Sequence, residues 1–248
     1  MITHPLLWIF AALGAFMVGV SKAGITGLSI LSIALFTQVF PSSKQASGLV
    51  LPLLIFGDIV AVFAYRKHTQ WQYLWRMFPF TALGVVLGYF TLGRISDHSA
   101  KTMIGAIIVG LSALSFWRRY RSSVSEDGKT SVHWTIAAMV GITAGFITLI
   151  ANAAGPLMAI YFVAMRLPKM EYVGTAAVFF MLLNLFKVPF MVDLGLITTS
   201  SFGFNLMLAP AVLLGAVAGR WIVVRINQKF FESMVLILSA IGGILLLL

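Results

Sequence analysis

The chain of 248 residues contains no cysteine, which excludes disulfides, thiol chemistry and cysteine-ligated metals. Charge is nearly as scarce, with Asp, Glu, Lys and Arg together at 10%. Only seven side chains are acidic and they are scattered, so the clustered carboxylates that a membrane phosphatase or transferase needs are missing. An enzyme is therefore not expected. The four histidines, His4, His68, His98 and His133, fall in predicted loops at spacings that gather them on no common metal. Neither a metal nor a cofactor is expected.

Apolar residues fill the space that these absences leave. They make up 60% of the chain, and the mean hydropathy is +1.00. Apolar runs of roughly 17 to 25 residues follow one another, joined by short charged loops, which is the pattern of membrane helices and not of a barrel. The reading is an all-α polytopic membrane protein with about eight to ten membrane segments and no extramembrane domain. Met1-Ile2-Thr3-His4 lacks the basic region of a cleaved signal peptide, so the first helix is expected to be retained. A net charge of +10 would suggest nucleic acid in a soluble protein. Here the basic residues stand at helix ends, where membrane orientation needs them, and a nucleic-acid partner is not expected.

Two halves share one plan. Pro79, Leu83, Gly84, Val86, Gly88, Arg94, Ile95 and Met103 recur as Pro210, Leu214, Gly215, Val217, Gly219, Arg225, Ile226 and Met234, at a constant offset of 131. This predicts a first membrane repeat over 1–120, a cytoplasmic linker over 121–132 and a second membrane repeat over 133–248. Expected helices run from about Lys44 to Tyr65, Trp71 to Leu92 and Ser99 to Trp117, then from about His133 to Leu149 and, after a short arm, up to Val192, with two more over about Phe202 to Val224 and from Phe230.

Each half also carries a polar break in its first apolar run. Gly19-Val20-Ser21-Lys22-Ala23-Gly24-Ile25-Thr26-Gly27 interrupts the first, and Ile150-Ala151-Asn152-Ala153-Ala154-Gly155-Pro156 the second. The first two arms, about Pro5 to Val20 and Ile25 to Phe40, would each reach only about 24 Å against a hydrocarbon core of roughly 30 Å. They form either two short spans or a hairpin. If each broken segment crosses once, Lys and Arg divide evenly between the two sides. If each folds back, one side receives Arg66, Lys67, Arg76, Arg118, Arg119, Arg121, Lys129, Arg166, Lys169, Arg225 and Lys229, and the other only Lys44, Arg94 and Lys101. That bias makes the halves inverted, with both chain ends periplasmic.

Unwound backbone at membrane depth survives only where protein buries it or a polar cavity receives it. Paired breaks in inverted halves point to a secondary transporter whose half-helices, starting near Thr26 and Gly155, aim their N-terminal N–H groups at an anion. The candidate binding residues are Ser21, Lys22, Gly24, Thr26, Gly27, Asn152, Ala153 and Gly155. Caps and tight turns are the alternative reading for the polar ones among them, and snorkelling to the interface is the alternative for Lys22. Asp58 and Lys187 are the remaining charges deep in apolar segments, with Asn184 aligned to Asp58. All three are candidates for coupling or gating, and an ion pair between Asp58 and Lys187 is the structural alternative. The partners expected are the bilayer and a small anion, with proton coupling and a homodimer left open.

The pattern resembles the sulfite exporter TauE/SafE family of membrane proteins. The resemblance rests on the run Gly19 to Gly27, on the later Pro79, Gly84 and Gly88 signature, on the weaker second copy of both, and on a length near 250. It implies export of small sulfur-containing anions, such as sulfite or organosulfonates like sulfoacetate, across the bacterial inner membrane. Transport would proceed as one half moves against the other. A passive anion channel, or a carrier of another small organic anion, is the alternative.

Overall fold

The computed structural model describes residues 5–25, 28–40, 43–92 and 134–245, with scattered positions between 96 and 113. Thr26 and Gly27, most of the helix expected from Ser99 to Trp117 and the linker 121–132 lie outside the described residues. The rest is helical: α1 Pro5–Lys22, α2 Leu28–Val39, α3 Ser43–Tyr65, α4 Trp71–Leu92, α5 Trp134–Ala151, α6 Ala154–Ala164, α7 Lys169–Asp193, α8 Thr199–Arg225 and α9 Gln228–Leu245. Among the described residues, five helical segments are long and apolar enough to cross a membrane, over 5–22, 47–68, 134–151, 169–193 and 199–225. The chain is an all-α polytopic membrane protein.

Local signals set the helix ends. A single 3₁₀ turn, Arg66–His68, closes α3 where the apolar run meets the basic cluster Arg66-Lys67-His68. Pro168 precedes α7, where its fixed φ and missing N–H suit a helix entrance. Thr198 caps α8 through a capping box, its hydroxyl accepting from the Ser201 N–H while the Ser201 hydroxyl accepts from the Thr198 N–H. At the first break the chain reverses: Gly14 of α1 lies against Leu35 and Phe36 of α2, so the two arms run antiparallel as a hairpin.

Contact between the halves is made backbone to backbone. A carbon added to Gly19 of α1 would stand 2.0 Å from the Val212 carbonyl oxygen of α8, and one on Gly215 of α8 2.0 Å from that of Phe16. The same arrangement joins α5 to α4, where a carbon added to Gly145 would stand 2.0 Å from the Thr81 carbonyl oxygen and one on Gly84 2.1 Å from that of Ile142. Small residues permit this approach, which no other side chain allows. The first helix of each half is therefore clamped to a late helix of the other. α6 and the first half of α7 are buried along their length and occupy the centre, while α4 and α8 turn one face outward.

The clamps give a direct expectation. Gly145→Leu must displace the α4 backbone and should cost more than about 3 kcal/mol, beyond the usual range for overpacking. Gly203, also in α8, has open space around it, and Gly203→Ala should leave stability unchanged or raise it by up to about 1 kcal/mol. Thermal unfolding in detergent separates the two outcomes.

Candidate functional site

The hairpin tip of α1, the second break and the middles of α3 and α7 meet in one place. α3 and α7 are long, pack against each other, and bring Asp58 beside Asn184. Asp58 is fully buried and takes a partner on each oxygen: Lys22 Nζ stands 2.8 Å from Oδ1, and Asn184 Nδ2 donates to Oδ2 at 2.6 Å. The ammonium lies off the hydrogen-bonding direction of Oδ1, so the contact is chiefly Coulombic. Gly57 makes room for it, since a carbon there would press on the Lys22 stem at 2.9 Å. The Phe180 ring covers the same ammonium, its centroid 4.8 Å away. Lys22 thus points inward and pairs, which excludes snorkelling for this side chain.

Asn152 organises the second break. Its φ of 50° lies in the left-handed region that Asn tolerates better than other non-glycine residues. Its amide nitrogen donates to both the carbonyl and the hydroxyl of Ser47 at 2.8 Å, which ties the break to the start of α3. That leaves the amide oxygen to accept from Lys187. Lys187, wholly buried, also donates towards the Thr148 carbonyl and hydroxyl at 3.1 Å and the Asn184 amide oxygen at 3.3 Å. The Thr148 carbonyl belongs to the last turn of α5, where the helix dipole favours a cation.

The sequence offered an Asp58–Lys187 pair as the structural alternative. The structure pairs Asp58 with Lys22 instead, and Asn184 bridges from Asp58 to Lys187 with its two amide ends. Ser21, Lys22, Gly24, Asn152 and Gly155 line a shared cavity of about 30 Å³, together with Asp58 and Asn184. Ala153 is buried in the apolar core instead. Gly24 reaches its place with a φ of 122°, a conformation that suits glycine. α6 opens at Ala154 with no side-chain cap, and Gly155 in its first turn lines the cavity. Ser47, Thr148 and Phe180 were not singled out from sequence. Only Thr148 carried a signal, as a hydroxyl one helical turn before Asn152.

Removing one partner of a buried pair strands the other. Asp58→Ala should lower stability by about 3–5 kcal/mol. The double variant Lys22→Met with Asp58→Leu should recover most of that loss. A thermal-unfolding double-mutant cycle reads the coupling directly, and additive effects would show that the pair does not hold the site together.

The model of the family described as sulfite exporter TauE/SafE matches residues 11–246. No curated protein and no solved structure matches the chain. The match covers almost the whole sequence, including both breaks and every helix that contributes to the cavity. The chain belongs to the sulfite exporter TauE/SafE family, a family of membrane transporters.

Proposed function

We propose that the protein exports small sulfur-containing anions, sulfite or organosulfonates such as sulfoacetate, across the bacterial inner membrane by alternating access. The observation that carries this reading is the meeting of Lys22, the buried Asp58 and two helix breaks around a single cavity, with the buried Lys187 behind its wall. Ionisable side chains at membrane depth mark transport pathways more often than they serve stability. Unwound segments whose half-helices face a shared centre are the usual way carriers present backbone N–H groups to an anion.

The cavity volume, about 30 Å³, is room for two or three waters at about 10–15 Å³ each, less than a sulfonate needs. A sulfonate enters only after the walls part, as a carrier requires and an open pore does not. The glycine clamps favour particular moving parts. α1 travels with α8, and α5 with α4, so each moving body draws helices from both halves of the chain, with α3 and α7 at the seam. The hairpin at the first break supports the inverted arrangement, the strongly biased distribution of Lys and Arg, and periplasmic chain ends.

Counterflow tests the proposal. In proteoliposomes, preloading with unlabelled methanesulfonate should accelerate uptake of labelled methanesulfonate, the rate should saturate, and Lys22→Ala should abolish most of it. Flux that rises linearly with concentration and shows no counterflow would contradict a carrier.

A further inference from the structure

Three charges stand at this site, and their sum is a property of the substrate as well as of the protein. The Thr148 carbonyl and the amide oxygens of Asn152 and Asn184 surround Lys187 Nζ. All three can only accept, because the amide nitrogens of Asn152 and Asn184 are committed to Ser47 and to Asp58. Three acceptors call for three N–H groups, which an ammonium has and a neutral amine lacks. The three acceptors fit Lys187 as a buried ammonium. Asp58, the carboxylate of the cavity, is already matched by Lys22.

Resting on the reading that the cavity binds a small anion, we propose that it accepts one negative charge per substrate and that Lys187 sets this number. Lys22 and Asp58 cancel, and Lys187 leaves a charge of +1 in a region where an uncompensated charge is costly. A monoanion neutralises it. A dianion would leave one negative charge without a partner. Lys22 lines the cavity and meets the headgroup, whereas Lys187 stands behind Thr148, Asn152 and Asn184 and acts through space. Val173, Ala176, Ala177 and Phe180, on one face of α7, form an apolar wall beside the charges. The combination narrows the proposed substrates to small monoanions, such as hydrogensulfite or an alkanesulfonate, with the charged end at Lys22 and any carbon end on α7. It disfavours sulfoacetate, whose sulfonate and carboxylate carry two charges at neutral pH.

Methanesulfonate and sulfate make the test, because they differ by a methyl group in place of one charged oxygen and keep their charges across the neutral range. Binding is read by thermal stabilisation of purified protein. Asp58→Asn raises the site charge to +2 and should move the affinity ratio towards sulfate by about tenfold or more. Lys187→Met brings the charge to zero and should weaken methanesulfonate binding by about tenfold or more. The double variant, Lys187→Met with Asp58→Asn, returns to +1 and should recover methanesulfonate binding, a rescue that a merely structural lysine would not show. An unchanged ratio in Asp58→Asn overturns the proposal, as does a double variant no better than Lys187→Met. Where Lys187→Met fails to fold, the Asp58→Asn ratio decides alone. Wild-type protein that ignores sulfonates but ranks acetate above malonate contradicts the sulfur-anion reading and supports the charge rule. Sulfate bound as tightly as methanesulfonate by the wild type overturns the charge rule while leaving anion carriage intact.

Discussion

A charged side chain in the middle of a membrane must be given partners by the protein, and the interior of this bundle is arranged around that requirement. Asp58 has Lys22 on one oxygen and Asn184 on the other. Lys187 has a ring of neutral oxygens. Neither set could be assembled by continuous helices alone. The first break lets Lys22 end its helix beside α3, and the second puts Asn152 in a left-handed conformation that splits its amide between Ser47 and Lys187. The breaks therefore do two jobs with the same residues: they line the cavity, and they bring side chains to charges that would otherwise be stranded.

The frame that holds this cluster is built from the closest contacts the chain can make. Gly19 of α1 against Val212 of α8 is matched by Gly145 of α5 against Thr81 of α4, 126 positions later for the glycine and 131 earlier for its partner. Gly215 with Phe16 and Gly84 with Ile142 repeat the relation from the opposite side. Asp58 and Asn184, 126 apart, touch each other at the centre. The α8 and α4 positions of these contacts differ by the same 131 as the repeated Pro, Gly and Arg positions. The contacts also hold α1 close against α8 and α5 close against α4, and the charges lie at the seam along α3 and α7.

Much of this was legible in the sequence, for physical reasons. Apolar runs bounded by Pro, Gly and charge gave α4 its ends at Trp71 and Leu92 and put α3 within one residue of its start, because nothing polar competes along those stretches. The breaks stood out as polar clusters where hydrocarbon demands apolar residues. Asp58, Lys22 and Lys187 stood out for the same reason. Their pairing did not. Which lysine reaches Asp58 depends on the rotation of α1 about its axis and on the space at Gly57, neither of which leaves a periodic trace. Ser47 was invisible because its contribution comes partly from its backbone carbonyl. Phe180 looked like any other core aromatic until Lys22 was placed beneath it.

The most direct test is a structure of the protein with 2-bromoethanesulfonate, whose bromine is located by anomalous scattering independently of any interpretation of the headgroup. The account predicts the sulfonate at Lys22, between the second break and Asn184, with the bromine against Val173, Ala176 and Phe180. A ligand held outside this cavity, with Lys22 still paired to Asp58 and the walls unmoved, would contradict it.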